Sequence, residues 1–172
     1  MIKLKNILIE QEQLKKRVQS SKNNIINIAN KVDKLGIGSP VATFLTRVAS
    51  VESCYGLAIS NENYFQVDPI AFQDTQDSDS HPGLVKKFKV LKSNGINWPK
   101  LTYNDIKSNG YYNGIAARLM LGNQPGKIPN DLKGQANYWK SNYNTSAGKG
   151  TVNDFIEKNS GDTLSGCVAY AK

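Results

Sequence analysis

The chain has 172 residues and a net charge of +8, from 22 lysines and arginines against 14 aspartates and glutamates, and this length suits one domain with a sizeable core. A hydrophobic fraction of 39% and a charged fraction of 21% exclude a disordered chain. No stretch approaches a membrane span, so the positive charge points to a polyanionic setting: nucleic acid, a bacterial wall or an anionic membrane surface.

The first ten residues, Met1 to Glu10, are basic, but Lys5 and Asn6 interrupt their apolar stretch. The expectation is a chain made in the cytoplasm without a signal peptide. From Leu4 to about Leu35, apolar residues Leu14, Val18, Ile25, Ile28, Ala29, Val32 and Leu35 recur at helical spacing. Ser20-Ser21 and Asn23-Asn24 predict a break into two helices. Residues 1–38 then form an N-terminal helical extension, and 39–172 the main domain. Gly36-Ile37-Gly38 ends the extension.

Ser39-Pro40 supplies start chemistry for the next helix, with Val41, Phe44, Leu45, Val48, Val51 and Tyr55 as its apolar stripe and Gly56 as its stop. Glu52 falls on or beside that stripe. An unpaired carboxylate there is costly, so it must be paired, wet in a cleft, or protonated. Tyr64-Phe65-Gln66-Val67 reads as a short strand or hairpin edge ending at Pro69. Leu84–Leu91 predicts a helix, Trp98-Pro99 a turn, and Thr102-Tyr103-Asn104-Asp105 a capping box. Helices are also expected over Tyr111–Leu121, Leu132 to about Tyr143, Val152–Lys158 and Leu164–Ala171. The balance is α+β and predominantly helical, with one small β element.

The only histidine, His81, precedes Pro82-Gly83 in an expected surface turn, which argues against a cysteine nucleophile with a histidine base. Neither a zinc site nor a Gly-rich phosphate loop is present in the sequence pattern. Cys54 and Cys167 read as two buried free thiols, with a disulfide as the alternative.

Three segments carry chemistry in order. Glu52-Ser53 stands at a helix end before Gly56, Phe65-Gln66-Val67 follows, and Tyr143-Asn144-Thr145 lies further on with Gly148. Together they resemble the soluble lytic transglycosylase and goose-type lysozyme superfamily. That family has Glu-Ser, Gly-hydrophobic-Gln-hydrophobic and Ala-Tyr-Asn-x-Gly motifs. Tyr64 stands near where the family commonly has glycine, Asn142 replaces alanine, and the last glycine is delayed. Tyr112-Asn113-Gly114 resembles the start of the family helix beneath the cleft. The run from Trp139 to Thr151 looks most like the phage members, whether endolysins or virion-associated enzymes.

The resemblance implies a lysozyme-like fold over 39–172 and cleavage of the β-1,4 bond between N-acetylmuramic acid and N-acetylglucosamine in peptidoglycan. Glu52 would be the general acid, its pKa raised by burial. Ser53, Gln66, Tyr112, Asn113, Tyr143 and Asn144 would contact substrate, with the Tyr143 hydroxyl reaching toward Glu52. Asp68, Asp74, Asp77 and Asp79 are candidates for a second carboxylate. No cofactor or metal is implied, and neither a nucleic-acid partner nor stable membrane insertion; the expected state is a monomer. Holin-type release or delivery in a virion would bring it to the wall. A non-catalytic wall-binding module and a basic nucleic-acid-binding helical protein are the alternatives.

Overall fold

A computed structural model describes residues 2–144, 148–161, 167 and 170, with side chains from Ile9 onward. Eight α-helices make up most of it: α1 (Ile2–Lys34), α2 (Ala42–Ser53), α3 (Pro69–Asp74), α4 (Leu84–Ser93), α5 (Tyr103–Lys107), α6 (Gly110–Asn123), α7 (Leu132–Trp139) and α8 (Val152–Asn159). Trp98–Lys100 forms a 3-10 turn, and Lys140–Asn144 widens the end of α7 into a π-helical turn. The expected helix over Leu164–Ala171 lies outside the described residues apart from Cys167 and Tyr170.

The N-terminal segment is a single helix. Ser20-Ser21 and Asn23-Asn24 do not break it, because their side chains find partners compatible with helical backbone. Ser21 Oγ donates to the Tyr55 carbonyl at 2.6 Å, and Gln19 Nε2 to Asn23 Oδ1 at 2.8 Å, one turn along the same face. Val18, Ile25, Ala29 and Val32 are fully buried, so the second half of α1 belongs to the main core. Its end also starts the next helix. The Asp33 carboxylate accepts from the backbone N–H groups of Val41, at 2.9 and 3.0 Å, and Ala42, at 2.8 Å. Ser39-Pro40 therefore does not cap α2; a carboxylate from α1 does, where the helix dipole favours negative charge.

At the centre lies α6, whose residues Asn113 to Leu121 are all buried. A helix buried on every side suits that position, with Asn113 and Arg118 as its polar members. Helices α1 and α2 pack against it, and α7 and α8 pack on the other side of α2, where Phe155 stacks on Phe44 with ring centroids 6.2 Å apart. The capping box at Thr102–Asp105 forms as its sequence predicts, and Thr151 with Asp154 makes a second. Both fit the rule that a hydroxyl at the cap and a carboxylate three residues on satisfy each other's orphan donors.

Among the described residues there is no β-strand, so the helical half of the predicted fold class holds and the small β element at Tyr64–Val67 does not. Phe65 and Val67 are buried while Gln66 is exposed, the alternation that suggested a strand. Side chains satisfy this backbone instead of a neighbouring strand. Ser53 Oγ donates to the Tyr64 carbonyl at 2.7 Å, and Tyr143 Oη to that of Phe65 at 2.6 Å. Asn113 Oδ1 accepts from the Phe65 N–H at 2.9 Å, and Asn63 Nδ2 donates to the Val67 carbonyl at 3.1 Å. Gln66 has a left-handed φ of 50°, which turns the chain out of any extended course.

Candidate active site

The last turn of α2 carries Glu52 half-buried beside the core. One carboxylate oxygen, Oε1, accepts a hydrogen bond of 2.8 Å from the indole N–H of Trp139, whose ring is fully buried against Phe155, 5.3 Å between centroids. Burial raises the Glu52 pKa above the ordinary carboxyl value; the Trp139 hydrogen bond and the Lys158 charge pull it partly back. Lys158 is held by its own bond to the Val51 carbonyl at 3.1 Å. A carboxyl with these neighbours holds its proton more tightly than a solvated one, as a general acid needs.

Tyr143 was expected to reach Glu52 with its hydroxyl. It donates to the Phe65 carbonyl instead, and Trp139 takes the place at the carboxyl. Tyr143 still lies within electrostatic reach of both Glu52 and Asp68. Burial first, and then those two charges, push its phenol well above the ordinary value, so it stays neutral and serves as a donor. Trp139 and Tyr143 are four residues apart, the spacing that puts side chains on one helix face. That spacing is the sequence signal that would have paired Trp139 with the site.

Around Tyr143 opens a cleft of about 400 Å³, lined among others by Gln66, Asp68, Asp74, Asn142 and Tyr143. The structure thus gathers Gln66, Tyr143 and two of the candidate carboxylates at one place. Glu52 is not among the lining residues; its charge is felt at Tyr143, which is. Gln66 is exposed there, with Nε2 tied to the Asn63 carbonyl at 2.8 Å.

Several predicted substrate contacts have structural positions instead. Ser53 is buried, donates to the Tyr64 and Ala49 carbonyls and accepts from the Gly56 N–H. Asn113 is fully buried between the Phe65 N–H and Asn63 Oδ1, the latter at 2.7 Å. Both hold the 63–67 turn in place. The Tyr112 ring is tilted against Tyr111, 6.3 Å between centroids. Asn144 accepts from Lys140 Nζ at 2.9 Å, which leaves its amide N–H₂ to offer. Thr145 lies outside the described residues.

The candidate carboxylates divide in the same way. Asp68 caps α3 through the Ala71 N–H at 2.8 Å and stays exposed on the cleft rim. Asp74 pairs with His81 Nε2 at 2.8 Å and accepts from Asn123 at 3.1 Å. Asp77 is fully exposed; its hydrogen bonds from the Ser80 hydroxyl and N–H, and from the Asp79 N–H, lower its pKa, and Asp79 is likewise exposed, so both are turn residues.

The two cysteines are bonded, not free. Cys54 and Cys167, 113 positions apart, form a disulfide with a Cα–Cα distance of 5.4 Å. The free-thiol expectation rested on chain length alone, which says nothing about which side chains the fold brings together. Cys54 also caps α2 in a left-handed conformation, φ 47°, ahead of the Gly56 that was predicted to stop the helix.

The chain matches no protein family, no curated protein and no solved structure. Among the described residues no helix is long and apolar enough to cross a membrane.

Proposed function

We propose that this protein is a lysozyme-like glycosidase that cleaves the β-1,4 bond between N-acetylmuramic acid and N-acetylglucosamine in peptidoglycan. The observation that carries the proposal is the Glu52 carboxyl, held half-buried by the Trp139 indole at a helix end, with its charge felt at Tyr143 on the cleft wall. The order of Glu52-Ser53, the Gln66 turn and Tyr143-Asn144 along the chain supports it, through the resemblance to lytic transglycosylases and goose-type lysozymes.

In this mechanism a glycan strand lies along the cleft past Tyr143. Glu52, protonated, gives its proton to the glycosidic oxygen as the C–O bond breaks and becomes a carboxylate. That carboxylate then accepts a proton from the attacking oxygen. With water as nucleophile the product is a reducing muramic end, and Asp68, exposed on the cleft rim, is the candidate second carboxylate. With the sugar's own 6-hydroxyl as nucleophile the product is a 1,6-anhydro end and no second carboxylate is needed. The net charge of +8 suits a polyanionic wall as the target.

Mass spectrometry of purified peptidoglycan digested by the protein tests this. Anhydro or reducing muramic ends are expected, and free peptides would overturn the bond class. Glu52→Gln should lower the rate by about 10²–10⁴ while keeping the fold and wall binding. A lytic Glu52→Gln variant would remove Glu52 from the acid role. A wild-type protein that binds walls without cutting them would be a binding module. The same substitution should also raise stability at pH 8, because it removes a carboxylate whose charge is disfavoured in the fold. That gain should fade as pH falls toward 4, where Glu52 is protonated anyway.

A further inference from the structure

Arg118 on α6 is only 7% exposed, and among the described residues it has no ion pair. Its guanidinium makes one hydrogen bond, from Nη2 to the Ser39 carbonyl at 3.1 Å. The nearby Asp33 carboxylate is turned to the backbone of Val41 and Ala42. Among the described residues, most of the guanidinium's donors are therefore left without an acceptor.

A second cation comes to the same place. Lys87 from α4 lies so close to Gly122 that a methyl group there would overlap its Nζ, and that methyl would stand 3.4 Å from Arg118 Nη1. Burial, and then the charge of Arg118, lower the Lys87 pKa. Burial lowers that of Arg118 too, with Asp33 and Tyr138 opposing it. Two like charges crowded where water is scarce are destabilising unless an anion joins them.

Beside them opens a cavity of about 380 Å³, lined by Ser39, Arg118, Gly122, Lys127, Asn130 and Tyr138 among others, with no acidic residue in its lining. Tyr138 is 8% exposed, and its hydroxyl is buried without a hydrogen-bond partner among the described residues. Such a group is rare in a settled interior and costs stability until something meets it.

We propose that this cavity is a binding site for an oxyanion, a carboxylate or phosphate borne on a small organic group, gripped by the Arg118 guanidinium with Lys127, Lys87 and the Tyr138 hydroxyl around it. The planar guanidinium offers paired N–H donors that match two oxygens of either anion. The volume exceeds that of a bare ion and falls in the range of small-ligand pockets, so the anion carries an organic body. The site is separate from Glu52 and does not depend on any lytic activity.

Calorimetry on the full-length protein at pH 7 and fixed ionic strength tests the proposal with two probes, glycerol 3-phosphate and N-acetylalanine. Glycerol and N-acetylalaninamide are the neutral controls. Saturable one-to-one binding of at least one anionic probe is expected, with neither control bound. Binding of the phosphate alone assigns a phosphate ester, and of N-acetylalanine alone a carboxylate. Arg118→Gln should weaken binding by about tenfold or more, since a charge-assisted bidentate contact is lost. Tyr138→Phe, which keeps the ring and its packing, should weaken it about three- to tenfold. Should Arg118→Gln fail to fold, Tyr138→Phe and Lys127→Met decide. No binding of either anion, equal binding of the neutral controls, or binding that folded variants leave unchanged would overturn the site.

Discussion

Trp139→Phe separates what the Trp139 indole does for Glu52 from what it does for the core. The Nε1–H···Oε1 bond of 2.8 Å goes to a carboxylate that the fold partly buries, and such bonds to charged groups contribute about 1.5–3 kcal/mol. Phenylalanine keeps the contact with Phe155 but leaves space in a fully buried site, at a cost of about 1–2 kcal/mol. The two contributions differ in pH dependence. Burial holds the folded-state pKa of Glu52 above its ordinary value, so the ionised carboxylate destabilises the fold increasingly as pH rises through that window. The indole bond offsets part of this penalty, and only where Glu52 is charged. Trp139→Phe should therefore cost about 2.5–5 kcal/mol at pH 8 and about 1–2 kcal/mol at pH 4, where mainly the packing loss remains. Urea unfolding at the two pH values, with the disulfide intact, measures the difference. The basic limb of the lytic pH profile should also move to higher pH, because the acid would hold its proton longer. Equal losses at both pH values, with an unmoved limb, would reduce Trp139 to a packing residue.

Cys167→Ser opens a loop with a sequence separation of 113, and chain entropy gives an upper figure of about 5 kcal/mol for the loss. Thermal unfolding of the variant should match that of wild type in reductant; a smaller fall in reductant alone would point to a bond formed in only part of the molecules. Asp33→Ala removes every side-chain cap of α2 and should cost about 1–2 kcal/mol by urea unfolding, an effect that a Ser39→Ala control should not reproduce. Tyr143→Phe loses the 2.6 Å bond to the Phe65 carbonyl, so a stability loss of about 1 kcal/mol is expected. Its kcat/KM on peptidoglycan should fall severalfold, well short of the Glu52→Gln loss. A loss as large as that of Glu52→Gln would make Tyr143 a group that touches the reacting atoms.

Most helices were legible because their apolar faces repeat at spacings of three and four, as in Ile25, Ile28, Ala29 and Val32, and because Thr102 with Asp105 announces its own cap. The misreadings have a common physical origin. Each concerns a group with a partner outside its own local element. Asp33 caps a helix that begins nine residues later, and nothing local distinguishes it from a solvated aspartate. Tyr64–Val67 alternates like a strand, yet the fold supplies its hydrogen bonds from Ser53, Asn63, Asn113 and Tyr143. The Cys54–Cys167 pairing depends on where the C-terminal segment returns, which no spacing reveals. At the site, the place of Glu52 on an apolar stripe is legible, whereas the Trp139 indole meets it across 87 residues, a pairing that only the fold reveals.

The Tyr64 ring lies between Gly56 and Gly110, and a methyl group on either would press into the ring at 2.7 Å or closer. Cys54, Tyr55 and Gln66 all adopt left-handed φ values, 47°, 58° and 50°, which residues with a Cβ adopt only when their surroundings insist. Those surroundings are named: the disulfide fixes Cys54, Ser21 holds the Tyr55 carbonyl, and Gln66 is caught between the bonds to Phe65 and Val67. The same bonds that replaced the expected strand are what keep the carboxyl and the cleft wall in a fixed relation, and loosening any one of them should blur the site before it unfolds the protein.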